Sequence, residues 1–267
     1  MTNMQLVERP THAHTGLGRV HIVLPAYNEE SSLRPLLSRI GALTASLPLE
    51  VWVINDGSSD STAQVAASGP IDLNVHVVTH EVNLGLGQAI QTGLRTVLAN
   101  AADNDVLIVM DADDTHDPAL VPAMVRAITD GNADIVICSR FTPGGDDATA
   151  PPFRRLLSRG AAKVFHAVAK VDGVHDFTSG FRAYRVSLLR RAADHWGERL
   201  VVEEGFACMV ELLLKLRHCN PVITEIPLVL QYDRKLGVSK LRLARTLRQY
   251  FKLLVRESFT PAPHRQV

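Results

Sequence analysis

Residues 106–118 read "VLIVMDADDTHDP". Val106, Leu107, Ile108 and Val109 form an unbroken apolar run with the length of a buried strand. Asp111, Asp113 and Asp114 follow within four positions. That much like charge at the end of an apolar run calls for a counter-charge. Asp111 and Asp113 are spaced i, i+2, which in extended chain points both side chains the same way. Two hard carboxylates on one side suit Mg²⁺ or Mn²⁺, which prefer oxygen ligands and often bridge to substrate phosphates. Asp117, directly before Pro118, reads instead as the N-cap of a helix. Asp114 fits neither role clearly, and His116 reads as a structural hydrogen-bonder.

Working outward, four more apolar runs read as buried strands: 20–24, 51–54, 75–78 and 135–137. The stretches between them, "EESSLRPLLSRIGALTASL", "DSTAQVAAS", "LGQAIQTGLRTVLAN" and "DPALVPAMVRAITDG", carry helical periodicity. Strands that are apolar throughout, alternating with helices, predict an α/β fold with a mostly parallel sheet covered on both faces. Ligands of such sheets bind beyond the carboxyl ends of the strands. Here "PAYNEE", "NDGSSDST" and the aspartate cluster each follow a strand, so the three should meet along one edge. "NLGLG" (83–87) lacks the third glycine of a dinucleotide fingerprint, since position 90 is Ile90.

The second half is less regular. "TPGGDDATAPP" (142–152) reads as a mobile loop and "FRRLLSRGAAKVFHAVAK" as an amphipathic helix. "DFTSGFRAYR" turns strand-like after a polar start. "EEGFACMVELLLKLRH" is a helix and "PVITEIPLVLQY" a strand pair or bent strand. The last helix sets Leu243, Ala244, Leu247, Tyr250, Phe251, Leu254 and Val255 against Arg242, Arg245, Arg248, Lys252 and Arg256. Residues 1–18 and 258–267 are expected to be disordered tails around one domain, 19–257.

Lys+Arg and Asp+Glu balance at 28 each in 267 residues, so no global field favours nucleic acid. The three cysteines have no metal-type spacing and point to a reducing, cytoplasmic compartment. No signal-peptide core and no 18-residue apolar window are found, so membrane contact would be peripheral, at the cytoplasmic face.

In order, "VLPAYNEE", "VINDGSSDST", "NLGLGQAI", "MDADDTHDP", "ICSRF", "RRLLSRGA", "DFTSGFRAYR" and "DRKLGVSK" resemble family 2 of the inverting glycosyltransferases, which have the GT-A fold. More narrowly, they resemble its polyprenyl (dolichyl) phosphate mannose synthases. The resemblance implies that Pro25, Tyr27, Glu29, Asp56, Asp111 and Ala112 bind the donor nucleotide. It makes Asp111 and Asp113 the metal-bridging pair. Thr115 stands where the family has a glutamine ligand, and its hydroxyl is the third candidate metal ligand, directly or through water. Arg140, Arg154 and Ser158 match phosphate-binding positions on the acceptor side. Arg234 and Lys240 match a late basic pair over the donor diphosphate. Asp113, Arg154, Arg234 and Lys240 are thus the expected catalytic residues. Ser179, Gly180 and Arg182 fit a fold-determining role as well as a chemical one.

The reaction so implied moves a sugar, mannose from GDP-mannose, to a polyprenyl monophosphate with Mg²⁺ or Mn²⁺ as cofactor. A phosphate acceptor is already an anion at neutral pH and needs no base. The alternative is a soluble hydroxyl acceptor, which needs a general base from Asp176, Glu203 or Glu204. The two glutamates also fit a helix start, where the dipole favours acid. A third reading is a sugar-nucleotide-binding subunit without catalysis. The oligomeric state is not legible.

Overall fold

The apolar runs become strands because they can bury side chains on both faces between two helical layers, nearly completely in the runs at 20–24, 51–54, 106–109 and 135–137 and only in part at 75–78. The computed structural model describes residues 4–5, 18–169, 171–234 and 243–258. Its strands are β1 (Met4–Gln5), β2 (Val20–Ala26), β3 (Leu49–Asn55), β4 (Asn74–Thr79), β5 (Val106–Val109), β6 (Ile135–Ser139), β7 (Arg182–Arg185) and β8 (Ile223–Pro227). They form one sheet in the order β1-β4-β3-β2-β5-β7-β6-β8. The pairings β2 with β3, β2 with β5, β3 with β4 and β6 with β8 are parallel. β7 runs antiparallel to both β5 and β6, and β1 antiparallel to β4. The sheet is therefore mostly parallel, as expected.

Alternation within the strands divides the core in two. Val20, Ile22 and Leu24 of β2 pack with Leu33, Leu36, Leu37 and Ile40 of α1 (Glu30–Gly41) and with Val121, Met124 and Val125 of α4 (Val121–Thr129). On the other face Val23, Trp52 and Ile54 meet α3 (Leu86–Asn100) through Ile90, Leu94 and Val97. α2 (Thr62–Ala67) bridges β3 and β4. In the second half, α5 (Pro152–Ala169), α7 (Ala207–Leu216) and α8 (Leu243–Ser258) appear where the periodicity placed helices.

Two expectations are corrected and one helix is additional. Val186–Trp196 forms a helix, α6, that the sequence reading passed over; its buried Val186, Leu189 and Ala192 are spaced for one helical face. Loop 142–152 is tied down: Asp146 N–H donates to Leu228 O at 2.8 Å and Leu230 N–H to Asp146 O at 2.9 Å. "PVITEIPLVLQY" forms one strand, β8, after which Val229 bridges to Asp146. The expected terminal tails lie largely outside the described residues, as does Arg242.

Two glycines test the packing. On Gly93, in α3, a Cβ would stand 2.4 Å from Val23 Cγ1 and 3.3 Å from Ile54 Cγ1. Alanine gains about 1 kcal/mol over glycine in a helix, but overpacking costs about 1–3 kcal/mol. Around Gly160, in α5, a Cβ meets nothing within 4 Å. Gly93→Ala should lower the denaturant midpoint and Gly160→Ala should raise it; movement of both in the same direction would contradict the packing described.

Candidate active site

The three polar segments do meet. Pro25 near the end of β2, Tyr27 and Glu29 after it, Asp56 after β3, and Asp111, Ala112 and Asp113 after β5 line one open cleft of about 590 Å³. Arg140, directly after β6, lines it too, with Ser158 of α5. Clefts of this size accommodate small organic ligands.

The aspartates reach the cleft by a turn, not by extended spacing. The chain turns at Ala112 and Asp113, and Asp114 takes a left-handed conformation with φ 63°. Thr115 donates to Asp113 Oδ1 from its backbone N–H at 3.2 Å and its hydroxyl at 2.7 Å, so it orients that carboxylate. His116 is structural in the sense expected: Nδ1 accepts from Asp111 N–H at 3.3 Å, and the ring stacks on Phe181. Asp117 caps as expected, accepting from Ala119 N–H at 3.0 Å. Asp114 pairs with Arg39 of α1.

Asp111 and Asp113 fit a divalent ion. A Cβ on Gly180 would lie 3.3 Å from Asp111 Oδ1, so glycine keeps the space beside that carboxylate open. No group of three His, Cys, Asp or Glu residues forms a metal cage among the described residues. Mg²⁺ and Mn²⁺ need no such cage where one or two carboxylates are completed by water and substrate phosphates.

Asp56 organises the start of α3. Its carboxylate accepts from Leu84 N–H at 2.9 Å and Gly85 N–H at 2.8 Å, and contacts His80 Nδ1 at 2.8 Å. This places an anion at the start of α3, where the helix dipole favours it. The "NLGLG" stretch owes its glycines to a crossing chain. Gly87 N–H donates to Glu204 O at 2.9 Å, and a Cβ on Gly87 would lie 1.9 Å from Glu203 O.

The cleft lining also carries cations that are partly neutralised. Arg140 binds Asp176 through Nε and Nη2, both at 2.7 Å, and Thr178 Oγ1 at 2.7 Å. Thr178 in turn contacts Ser158 Oγ at 2.8 Å. Burial alone would raise the Asp176 pKa, yet the charge and hydrogen bonds of Arg140 hold it below the usual carboxylate range. Asp176 is fully buried and outside the cleft lining, so it drops out as a general base for an acceptor. Breaking such a pair costs about 3–5 kcal/mol, so Asp176→Asn would report on folding.

Glu203 is buried, and Lys252 Nζ lies 3.8 Å from its Oε1; only Glu204 of the two glutamates lines the cleft. Both precede α7, in the bend before its first residue Ala207, so the helix-start explanation is corrected.

Other expectations divide. The Arg154 side chain and Lys240 lie outside the described residues. Arg234 is exposed and is not among the cleft-lining residues, although Tyr232 is. Arg155 lines the cleft, and with Arg159 it pairs with the buried Asp147 at 3.4 and 2.7 Å. Sequence reasoning also missed Thr246, Gln249 and Tyr250, by which α8 closes one wall. Burial pushes the Tyr250 phenol well up. Arg182 holds the wall from behind, donating to Met209 O and Phe177 O, both at 2.7 Å.

The family model Glycosyl transferase family 2 matches residues 21–192. A dolichol-phosphate mannosyltransferase of Pyrococcus furiosus is 31% identical over 239 residues, covering 89% of this chain and 63% of that protein. This chain thus spans less than two thirds of that relative's length. An undecaprenyl-phosphate mannosyltransferase of Micrococcus luteus is 34% identical over 225 residues, 84% of this chain and 87% of the relative. A polyprenol monophosphomannose synthase of Mycolicibacterium smegmatis is 31% identical, with 88% and 85% covered. Among solved structures, glucosyl-3-phosphoglycerate synthase from Mycobacterium tuberculosis, crystallised with Mn²⁺, UDP and phosphoglyceric acid, superposes with a TM-score of 0.63. It is 23% identical and covers 91% of this chain and 80% of its own; the likeness is one of fold. With its cleft on the carboxyl edge of a mostly parallel GT-A sheet and these relatives, the chain belongs to glycosyl transferase family 2 and is a glycosyltransferase.

Proposed function

We propose that the protein transfers a hexose, with inversion, from a nucleoside-diphosphate sugar to a polyprenyl monophosphate. Mannose from GDP-mannose is the donor this reading favours, in keeping with the names of its relatives. The observation that carries it is the layout of the cleft. Asp111, Asp113, Arg140, Arg155 and Ser158 all line it, so carboxylates, guanidinium groups and a hydroxyl share one space. An anionic acceptor needs cations to hold it and no base, since a monophosphate ester titrates near about 6.

In this reading Pro25, Tyr27, Glu29 and Ala112 hold the nucleotide, and Asp56 fixes the start of α3 beside it. Asp111 and Asp113 would hold Mg²⁺ or Mn²⁺, which when bound would supply positive charge to the donor diphosphate. Thr115 keeps Asp113 aimed at that position. Arg140, locked by Asp176, presents a fixed guanidinium to the acceptor phosphate; Ser158 adds a hydroxyl from the cleft lining, and the resemblance assigns Arg154 to the same phosphate. The family resemblance alone assigns Arg234 and Lys240 to the diphosphate; Arg234 stands outside the cleft lining.

A second reading, transfer to a soluble hydroxyl compound, is favoured by one observation: Glu204 lines the cleft and could take a proton. Incubation with radiolabelled GDP-mannose, Mn²⁺ and polyprenyl phosphate should give organic-extractable label. Glu204→Gln should retain most of that activity. Failure to label lipid from any sugar nucleotide would refute the lipid-phosphate reading, and loss of transfer to a hydroxyl acceptor in Glu204→Gln would establish the second.

The metal role has its own test. Asp113→Ala should remove the Mn²⁺-dependent part of nucleotide binding in calorimetry and leave the melting temperature of the metal-free protein in place. Unchanged binding in Mn²⁺ would exclude Asp113 from that role.

Contact with a membrane surface forms part of the proposal. α8 has two apolar faces. Tyr250 and Leu253 are buried against the core, while Leu247, Phe251 and Val255 are 43%, 68% and 42% exposed at successive turns. Arg248, Lys252 and Arg256 run beside that outer stripe, the arrangement of an interfacial helix at anionic headgroups. No helix among the described residues is long and apolar enough to cross a membrane. Phe251→Ser with Leu247→Ser should reduce co-sedimentation with phosphatidylglycerol vesicles and leave thermal stability unchanged; equal sedimentation would rule this surface out.

A further inference from the structure

The departure of this chain at the aspartate turn extends to a residue far away in sequence. Asp114 is one of three non-glycine residues with positive φ among the described residues, at 63°. That conformation is disfavoured for most L-residues and tolerated best by Asn and Asp. It reverses the chain between Asp113 and Thr115, which is what brings the Thr115 N–H and hydroxyl onto Asp113 Oδ1 at 3.2 and 2.7 Å. The aim of the Asp113 carboxylate therefore depends on the Asp114 backbone.

The turn is gripped from outside by one side chain. Arg39, in the last turn of α1, pairs through Nη2 with Asp114 Oδ1. The same nitrogen donates to His116 O at 3.4 Å, and Nη1 lies 3.5 Å from Asp117 Oδ1. One guanidinium thus spans the residue after Asp113, the carbonyl of the histidine whose Nδ1 accepts from Asp111 N–H, and the helix cap beyond it. It also supplies the cation that lets a third carboxylate stand beside Asp111 and Asp113. Of the two basic side chains, arginine suits this task because its planar fork makes several bonds in fixed directions.

We propose that Arg39 is a positioning residue for the Asp111/Asp113 pair, acting through Asp114 and the His116 carbonyl and never touching the ion or the sugar nucleotide. This rests on the reading of that pair as the divalent-cation site.

The test is a titration of Mn²⁺ into the purified full-length protein, with free ion followed by electron paramagnetic resonance, in the presence of GDP and separately of UDP. The double variant Arg39→Met/Asp114→Asn removes a cation and an anion together, so net charge is kept and any loss is geometric. It should bind Mn²⁺ about tenfold more weakly, the scale seen when residues that orient metal ligands are removed. Metal-free nucleotide binding and the melting temperature should match the parent. Arg39→Lys keeps the charge but loses the fork, and should fall between the two. Parent-like Mn²⁺ affinity in the double variant, with binding abolished in Asp113→Ala, would overturn the role of Arg39 and leave the metal pair standing. Undiminished Mn²⁺ binding in Asp113→Ala would remove the pair itself, and the proposal with it. If the double variant does not fold, Arg39→Lys decides alone: unchanged Mn²⁺ affinity overturns the proposal.

Discussion

Parallel pairing of β2 with β3 and β5 is the constraint on which the rest depends. Val20 stands opposite both Leu49 and Val106, so the three strands start level and run the same way. Their carboxyl ends must then open onto one edge. β5 stops level with Val23, while β2 continues to Ala26, and this step leaves room at the edge for the aspartate turn. Chemistry-bearing residues can therefore be far apart in sequence and still converge. Each needs only to follow its own apolar run.

The second constraint is electrostatic. The cleft brings carboxylates and guanidinium groups together in a partly dry space, where an uncompensated charge is costly. The structure answers with local pairing. Arg140 has Asp176, Arg155 and Arg159 share Asp147, and Arg39 has Asp114. Such pairs contribute little net stability against well-packed apolar groups. Their effect here is orientation, since a bidentate pair holds a guanidinium plane in one direction. For the Asp111/Asp113 pair, the proposed function supplies the counter-charge as an ion and a diphosphate.

Much of this was legible in the residues. Hydrophobic runs at 20–24, 51–54 and 106–109 located strands, and the polar stretches after them located the cleft. Asp117 was readable as a cap because Pro118 follows it. What was hidden depended on contacts between distant segments. Nothing near Asp176 announces that Arg140 neutralises it, so it looked like a candidate base. Nothing near Asp114 announces Arg39. α6 escaped because "RAYR" gives way to "VSLLRR" with no glycine or proline between them. The outer stripe of α8 was merged with its inner one, because periodicity finds apolar faces but does not say which of them another element covers. Tyr250, grouped there with apolar residues, proved to be both core and cleft wall.

The contact at Gly87 bears on where the catalytic unit ends. The region matched by the family model stops at residue 192, yet the backbone of Glu203 and Glu204 sits directly on the first turn of α3. Beyond it, Tyr232 and three residues of α8 finish the cleft. A fragment cut at 192 would leave the start of α3 uncovered and the pocket without a wall. The matched region is thus a unit of descent, and the smallest piece able to hold substrate is longer than what heredity makes easiest to recognise.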